Sequence, residues 1–362
     1  MSMETWQWLN TNTLIGMTDE RGTAWHYRAE GQGEKSNHYP GFIPVQDVID
    51  RLFYWEAQNA KMRFHMPATL ENFTFIDDEG NFFVDVVVPD RNVTYHPETG
   101  QVFGVFKTDS IHQYSKWLLE NLAHLVTPDG LAATTDVLGI GSAGVLRGGA
   151  QAWVQLEPSE TFKTSEGLSY RPHILAYSSH DSSLATTYGC STTIVVCDNT
   201  MQMARNEMSR SKRQHKVRRS VKSMGEKKIR DARLAMDLII EDSEGFAEDL
   251  KELCATTVTN RQFEAFLGEW APFPSESGPG RTRAENKREK LMNLWRNDNR
   301  VSPWAGTAFG VLQATNTYDH HESQKPKDMQ RSERNMTRAI NGDQAASDAR
   351  TLKLLDLVLG SA

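Results

Sequence analysis

The chain has 362 residues, 38% of them hydrophobic, with 40 basic and 47 acidic side chains and a net charge of −7. That is long enough for a sizeable core. No apolar run reaches the ~18 residues that a membrane helix needs, and three cysteines without a CxxC pair exclude a disulfide framework or a zinc knuckle. The opening MSMETWQWLNTNT has neither a basic n-region nor an apolar core, so no signal peptide is expected, and the chain reads as soluble and intracellular.

Residues 1–70 form a mixed N-terminal segment, in which Val48, Leu52 and Trp55 recur at helical spacing and predict a helix over Val45–Trp55. From Phe73 the pattern turns to β. FTFIDD and FFVDVVV flank Gly80-Asn81 as a hairpin, and Pro89 and Asp90 are expected to end its second strand. VTYH and QVFGVF form the next pair about Thr99-Gly100. His112–Leu125 is expected to be a helix that crosses one face of the sheet, stopped by Pro128-Asp129-Gly130.

A second β region opens with AGVL and AWVQLE on either side of Gly148-Gly149. Tyr170–Ser178 and Ala185–Cys197 follow, joined by the polar turn at His180–Ser183, and STTIVVC is the strongest buried-strand signal. Beyond it the chain reads as helical. Ser223 and Glu226 match a capping box before an apolar face from Ile229 to Leu253, and Thr259 with Gln262 opens a helix carrying Phe263, Phe266, Leu267 and Trp270. Residues 71–271 are therefore expected to be an α+β core, a twisted antiparallel sheet with packing helices. A Pro/Gly-rich linker is expected over 272–282, then a helical region over 283–362 with helices at Ala284–Trp295, Ala305–Tyr318 and Ser347–Leu359. The polar piece between His320 and Met336 reads as mobile. No internal repeat is present.

Three patterns resemble catalytic or ligand motifs and are set aside. Gly139, Gly141 and Gly144 spell GxGxxG, but a strand follows where the phosphate-binding helix is required, so a glycine-rich hairpin is expected. His180-Asp181-Ser182 are adjacent, whereas a triad converges from separate segments, so a turn is expected, with His180 retained as a candidate phosphate contact. Asp319-His320-His321-Glu322 lacks metal-ligand spacing and reads as a solvated helix end, and Trp25-His26 reads as packing. No catalytic residue, cofactor or metal is expected.

The remaining feature is charge. Between Arg205 and Arg233 there are twelve Lys or Arg against three acids, a local charge of +9. The rest of the chain has 28 bases against 44 acids, or −16. Acids that would pair with these cations at helical spacing are nearly absent from 208–225. The pattern points to nucleic acid, with Arg210, Lys212, Arg213, Lys216, Arg218, Arg219, Lys222, Lys227 and Lys228 as backbone contacts. Trp153, Tyr177 and Tyr188 in the neighbouring strands are candidate stacking rings, the combination used by sequence-tolerant single-strand binders. The competing readings are a basic surface that docks a host protein, or an uncharacterised enzyme.

Several segments carry a family resemblance. Thr23-Ala24-Trp25-His26 is similar to a PWHGLG-like segment, Gln101–Phe106 to a TGEVLGVVG-like strand, and the stretch from Ala143-Gly144 to Trp153-Val154 to an AGSLRGGRRVWV-like hairpin. Ser178–Ser182 resembles NSHDGS, Val196–Thr200 resembles VCQNTL, and Lys216–Ser220 sits where a basic segment is expected. Gly306-Thr307 through His320 resembles GTAWGLFNAVTEYVDH. Together these resemble the phage/plasmid-like protein family, the DUF932 domain of bacteriophages, prophages and plasmids. The resemblance implies a mobile-element origin, a bacterial cytoplasm and a role in DNA metabolism. Hairpins, a packing helix and a basic segment are also similar, by architecture, to phage single-strand annealing proteins. The expected function is sequence-independent binding of single-stranded DNA in recombination or replication, with a homo-oligomer as a candidate state.

Overall fold

The computed structural model describes residues 3–23, 27, 29–107, 111–122, 138–194, 200–201, 215–216, 245–327 and 329–360. The fold is α+β, with two antiparallel sheets and helices concentrated in the C-terminal part.

The main sheet is built on two hairpins. Strands β6 (Gly139–Leu146) and β7 (Gln151–Glu157) turn through Arg147, Gly148 and Gly149, all at positive φ. Glycine takes that conformation readily, while Arg147 carries its strain. Strands β9 (Ser169–Ser179) and β10 (Thr187–Ile194) form the second hairpin. The sheet order is β1 (Thr13–Ile15), β6, β7, β9, β10, β11 (Thr200–Met201), with β8 (Phe162–Lys163) on β9 and β12 (His215–Lys216) on β10; helices α1 (Met3–Asn12) and α2 (Thr18–Arg21) flank β1 in the chain. STTIVVC enters β10 as far as Ile194, and its last three residues lie outside the described residues.

Side chains alternate across β6, β7 and β9, and both faces of these strands are covered. Ala143, Val145, Ala152, Val154, Ile174 and Ala176 face a core that includes Val48 and Leu52 of α3 (Val45–Leu52) and Tyr114 and Trp117 of α4 (Tyr114–Trp117). Leu146, Trp153, Leu175 and Tyr177 face Ile340 and Met336 of a C-terminal helix. The glycine run in β6 answers to this packing. A Cβ on Gly139 would stand 2.1 Å from the Phe42 ring, and one on Gly141 would stand 1.6 Å from Glu157 Oε1. Strand β6 is thus half of a hairpin with close neighbours on both sides. The helix expected from His112 is only the single turn of α4 before a π-helical turn at Leu118–Leu122, and Leu125 lies outside the described residues.

The smaller sheet has the order β2 (Gln58–Pro67), β4 (Phe82–Tyr95), β3 (Phe75–Ile76), with β5 (Val102–Phe106) also on β4. Strand β4 does not end at Pro89. Lys61 pairs with Asn92 and Arg63 with Val87, so Met62 alone opposes residues 88–91. Proline is tolerated in that bulge because no ladder N–H is required there.

The C-terminal helices are α5 (described over 245–255), α6 (Asn260–Trp270), α7 (Pro279–Asn297), α8 (Ala308–Thr317), α9 (Arg331–Asn341) and α10 (Asp343–Gly360). The Thr259/Gln262 capping box is present in both directions, and Phe263 stacks on Trp295 at 4.2 Å. Residues 279–282 are the first turn of α7 rather than linker, since Pro279 suits a helix's first position. The polar piece before Met336 is helical from Arg331. Its arginines cap the preceding helix, with Arg334 donating to Asp319 O (2.8 Å) and Arg331 to His320 O (3.2 Å). The capping-box pair Ser223/Glu226 and the apolar residues from Ile229 to Ile239 lie outside the described residues, as do Trp25 and His26.

Candidate nucleic-acid interface

One rung of backbone pairing crosses the main sheet. Thr13 pairs with Gly144, Gly144 with Trp153, Trp153 with Tyr177, Tyr177 with Thr187, and Thr187 with Lys216. Two residues in the middle of the basic segment therefore pair at the edge of the sheet among the described residues, His215 opposite Tyr188 and Lys216 opposite Thr187. Arg210, Lys212, Arg213, Arg218, Arg219, Lys222, Lys227 and Lys228 lie outside the described residues.

Two of the expected stacking rings lie elsewhere, and the Tyr188 side chain is outside the described residues. Trp153 and Tyr177 are 3% and 6% exposed, packed with Leu146 and Leu175 against Ile340. Their ring faces are covered by α9, so they do not form an open platform for bases. Alternation along a strand cannot reveal this, because it marks a ring as facing one side without saying what covers that side.

His180 is also internal, at 3% exposure. Its ring stacks on Tyr114 (3.9 Å between centroids), and Nε2 lies 2.7 Å from His112 O, so Nε2 carries a proton and donates it. Tyr114 in turn donates to Ala150 O at 2.9 Å, and Ala150 O also receives the His180 amide at 2.8 Å. His180 thus braces the 147–150 turn against α4 and is not a phosphate contact. Asp181 closes the adjoining turn by accepting from the Ser183 amide (2.9 Å) and lies 3.5 Å from Arg147 Nη1. His180, Asp181 and Ser182 do not converge on one point. The turn reading holds.

Asp319-His320-His321-Glu322 is a π-helical turn after α8 rather than a solvated end. His320 is buried, and Asp319 accepts from Arg338 (3.0 Å) and Ser347 (2.7 Å). Burial holds both imidazoles neutral, pushing His320 and His321 down to about 4. Among the described residues, no group of three His, Cys, Asp or Glu side chains is arranged to hold a metal ion, and no helix is long and apolar enough to cross a membrane.

Sequence reasoning missed a buried ionic group beside β6. Glu157 accepts from Arg171 Nε at 2.9 Å and from Arg21, and Arg171 also donates to Thr161 Oγ1 at 2.8 Å. Charged residues 136 positions apart leave no local pattern. The nearby His173 ring is pushed down to about 3, chiefly by burial.

A family described as a domain of unknown function (DUF932) matches residues 111–352. The chain belongs to the DUF932 family. No curated protein and no solved structure matches it. The DUF932 region starts just before α4 and takes in the rung strands from β6 to β12 together with α5 to α9 and the first half of α10. It leaves out β1, α3 and the small sheet, yet Leu14, Val48 and Leu52 complete the core beneath its strands. In this DUF932 chain the N-terminal segment is therefore part of the domain's hydrophobic core.

Proposed function

We propose that this chain is a sequence-independent single-stranded DNA-binding protein, encoded by a mobile element and acting in recombination or replication in a bacterial cytoplasm. Arg213, Lys216, Arg218, Arg219 and Lys222 are its central phosphate contacts. The observation that carries this reading is the +9 charge of residues 205–233 in an otherwise acidic chain. Further support comes from the pairing of Lys216 with Thr187, which ties the centre of that charge to the edge of a sheet. A basic segment anchored at a sheet edge through Lys216 can contact a phosphate backbone without reading bases. With Trp153, Tyr177 and His180 in the core, affinity rests on phosphate contacts, which makes it strongly salt-dependent.

Fluorescence anisotropy of labelled single- and double-stranded oligonucleotides across a salt series tests this. Single-strand binding should weaken with a log–log slope of about −0.7 per phosphate neutralised. Changing the five named residues to Ala should flatten that slope without altering the circular dichroism spectrum. No binding at low salt would overturn the assignment. Co-purification with a stoichiometric host protein would then favour a protein-docking role for the same segment.

A further inference from the structure

Three cations without a carboxylate partner converge on the C-terminal end of α6. Arg288 of α7 donates its Nε to Ala271 O (2.8 Å) and its Nη2 to Gly268 O (3.3 Å), and Arg350 of α10 donates to Trp270 O (3.3 Å). Lys287 Nζ stands 3.9 Å from the centre of the Trp270 ring and 5.7 Å from that of Tyr318. It makes no hydrogen bond or ion pair among the described residues. Asp319 attracts it and Arg350 repels it, but the Asp319 carboxylate is already taken by Arg338 and Ser347. Capping explains only part of this arrangement. A helix end carries about half a negative charge, so three cations leave an excess of more than two positive charges. Lys287 is also half-buried, and loss of water pushes its ammonium down from the ordinary lysine value. The Trp270 face compensates for that in part.

We propose that Lys287, Arg288 and Arg350 form a phosphate site that holds the backbone of a single strand, a second contact besides residues 205–233. The inference rests on the DNA-binding reading above. An ammonium and two guanidinium groups with spare N–H donors suit the non-bridging oxygens of a phosphodiester. The site lies open rather than enclosed. Arg350 and every residue from 272 to 279 are exposed, Phe273 at 39%. An open surface suits a chain passing across it, whereas a small ligand is held in a concave pocket. Arg288 and Arg281 both stand over the Phe273 ring, at 3.8 and 4.5 Å, which helps to fix Arg288 in place. Helix α7 as a whole has six Lys or Arg against two acids, a charge of +4, the same sign as the basic segment in a chain that is otherwise acidic.

Lysine acetylation of the full chain, read by mass spectrometry with oligo(dT) or inorganic phosphate at matched ionic strength, is the test. Oligo(dT) is expected to protect Lys287, whether or not phosphate also does. Lys287→Gln combined with Arg350→Gln should flatten the salt slope of oligo(dT) binding by about 0.7 for each cation removed, with an unchanged circular dichroism spectrum. Lys287→Arg, which keeps the charge, should keep the slope. The acetylation arm uses the unaltered chain, so it decides the matter even where a variant misfolds. Oligo(dT) binding that leaves both Lys287 acetylation and the slope untouched overturns this site and leaves the proposed function standing. Protection by inorganic phosphate without any oligonucleotide binding overturns the strand as its ligand, and the proposed function with it. Protection by neither overturns the phosphate site outright.

Discussion

Arg171 donates its Nε to the Glu157 carboxylate at 2.9 Å, and the two side chains are only 1% and 3% exposed. With Arg21 on the other carboxylate oxygen, this pair pins the N-terminal segment to the main sheet. Removing one partner leaves a buried charge uncompensated, so Glu157→Gln should lower stability by about 3–5 kcal/mol. Urea denaturation followed by circular dichroism measures it. A loss below about 1 kcal/mol would mean that water already reaches the site.

Gly141 and Glu157 should behave as one unit. Gly141→Ala places a methyl group where the Glu157 carboxylate sits, and overpacking of this kind costs about 1–3 kcal/mol. In a double-mutant cycle, Gly141→Ala added to Glu157→Gln should cost clearly less than the sum of the two. Simple additivity would show that the carboxylate moves aside without loss.

Acid should weaken the fold before its carboxylates protonate. His173, His320 and His321 are held neutral, chiefly by burial, with values pushed down from 6.5 to about 3, 4 and 4. The unfolded chain binds these protons first, so stability is complete above about pH 6.5 and declines as pH falls toward 4. Each of the fully buried rings, His173 and His320, adds a slope of up to about 1.4 kcal/mol per pH unit. Urea midpoints between pH 7 and 4.5 check this, and His173→Phe should flatten the profile.

His180→Ala should separate architecture from binding. Losing the Tyr114 stack and the bond to His112 O is expected to cost about 1–3 kcal/mol. Trp153→Ala, inside the core, should cost about 3–5 kcal/mol. Neither should change the salt dependence of DNA binding at a temperature where the variant is folded. A flattened slope for His180→Ala would return that ring to the interface.

Much of the fold follows from local pattern. The alternation in AWVQLE and YRPHILAYSS, the turns at Gly148-Gly149 and His180–Ser183, and the Thr259/Gln262 capping box all depend on neighbours within a few residues. So does the +9 segment, because charge adds along the chain whatever the fold. What covers each face is a different matter. Trp153 and Tyr177 read as candidate stacking rings until Ile340, more than 160 residues away, closes over them. Pro89 reads as a strand end until the register of β2 leaves room for a bulge. The Glu157 pairings likewise depend on which distant segments meet. Burial and register are set by long-range packing, which local periodicity does not encode.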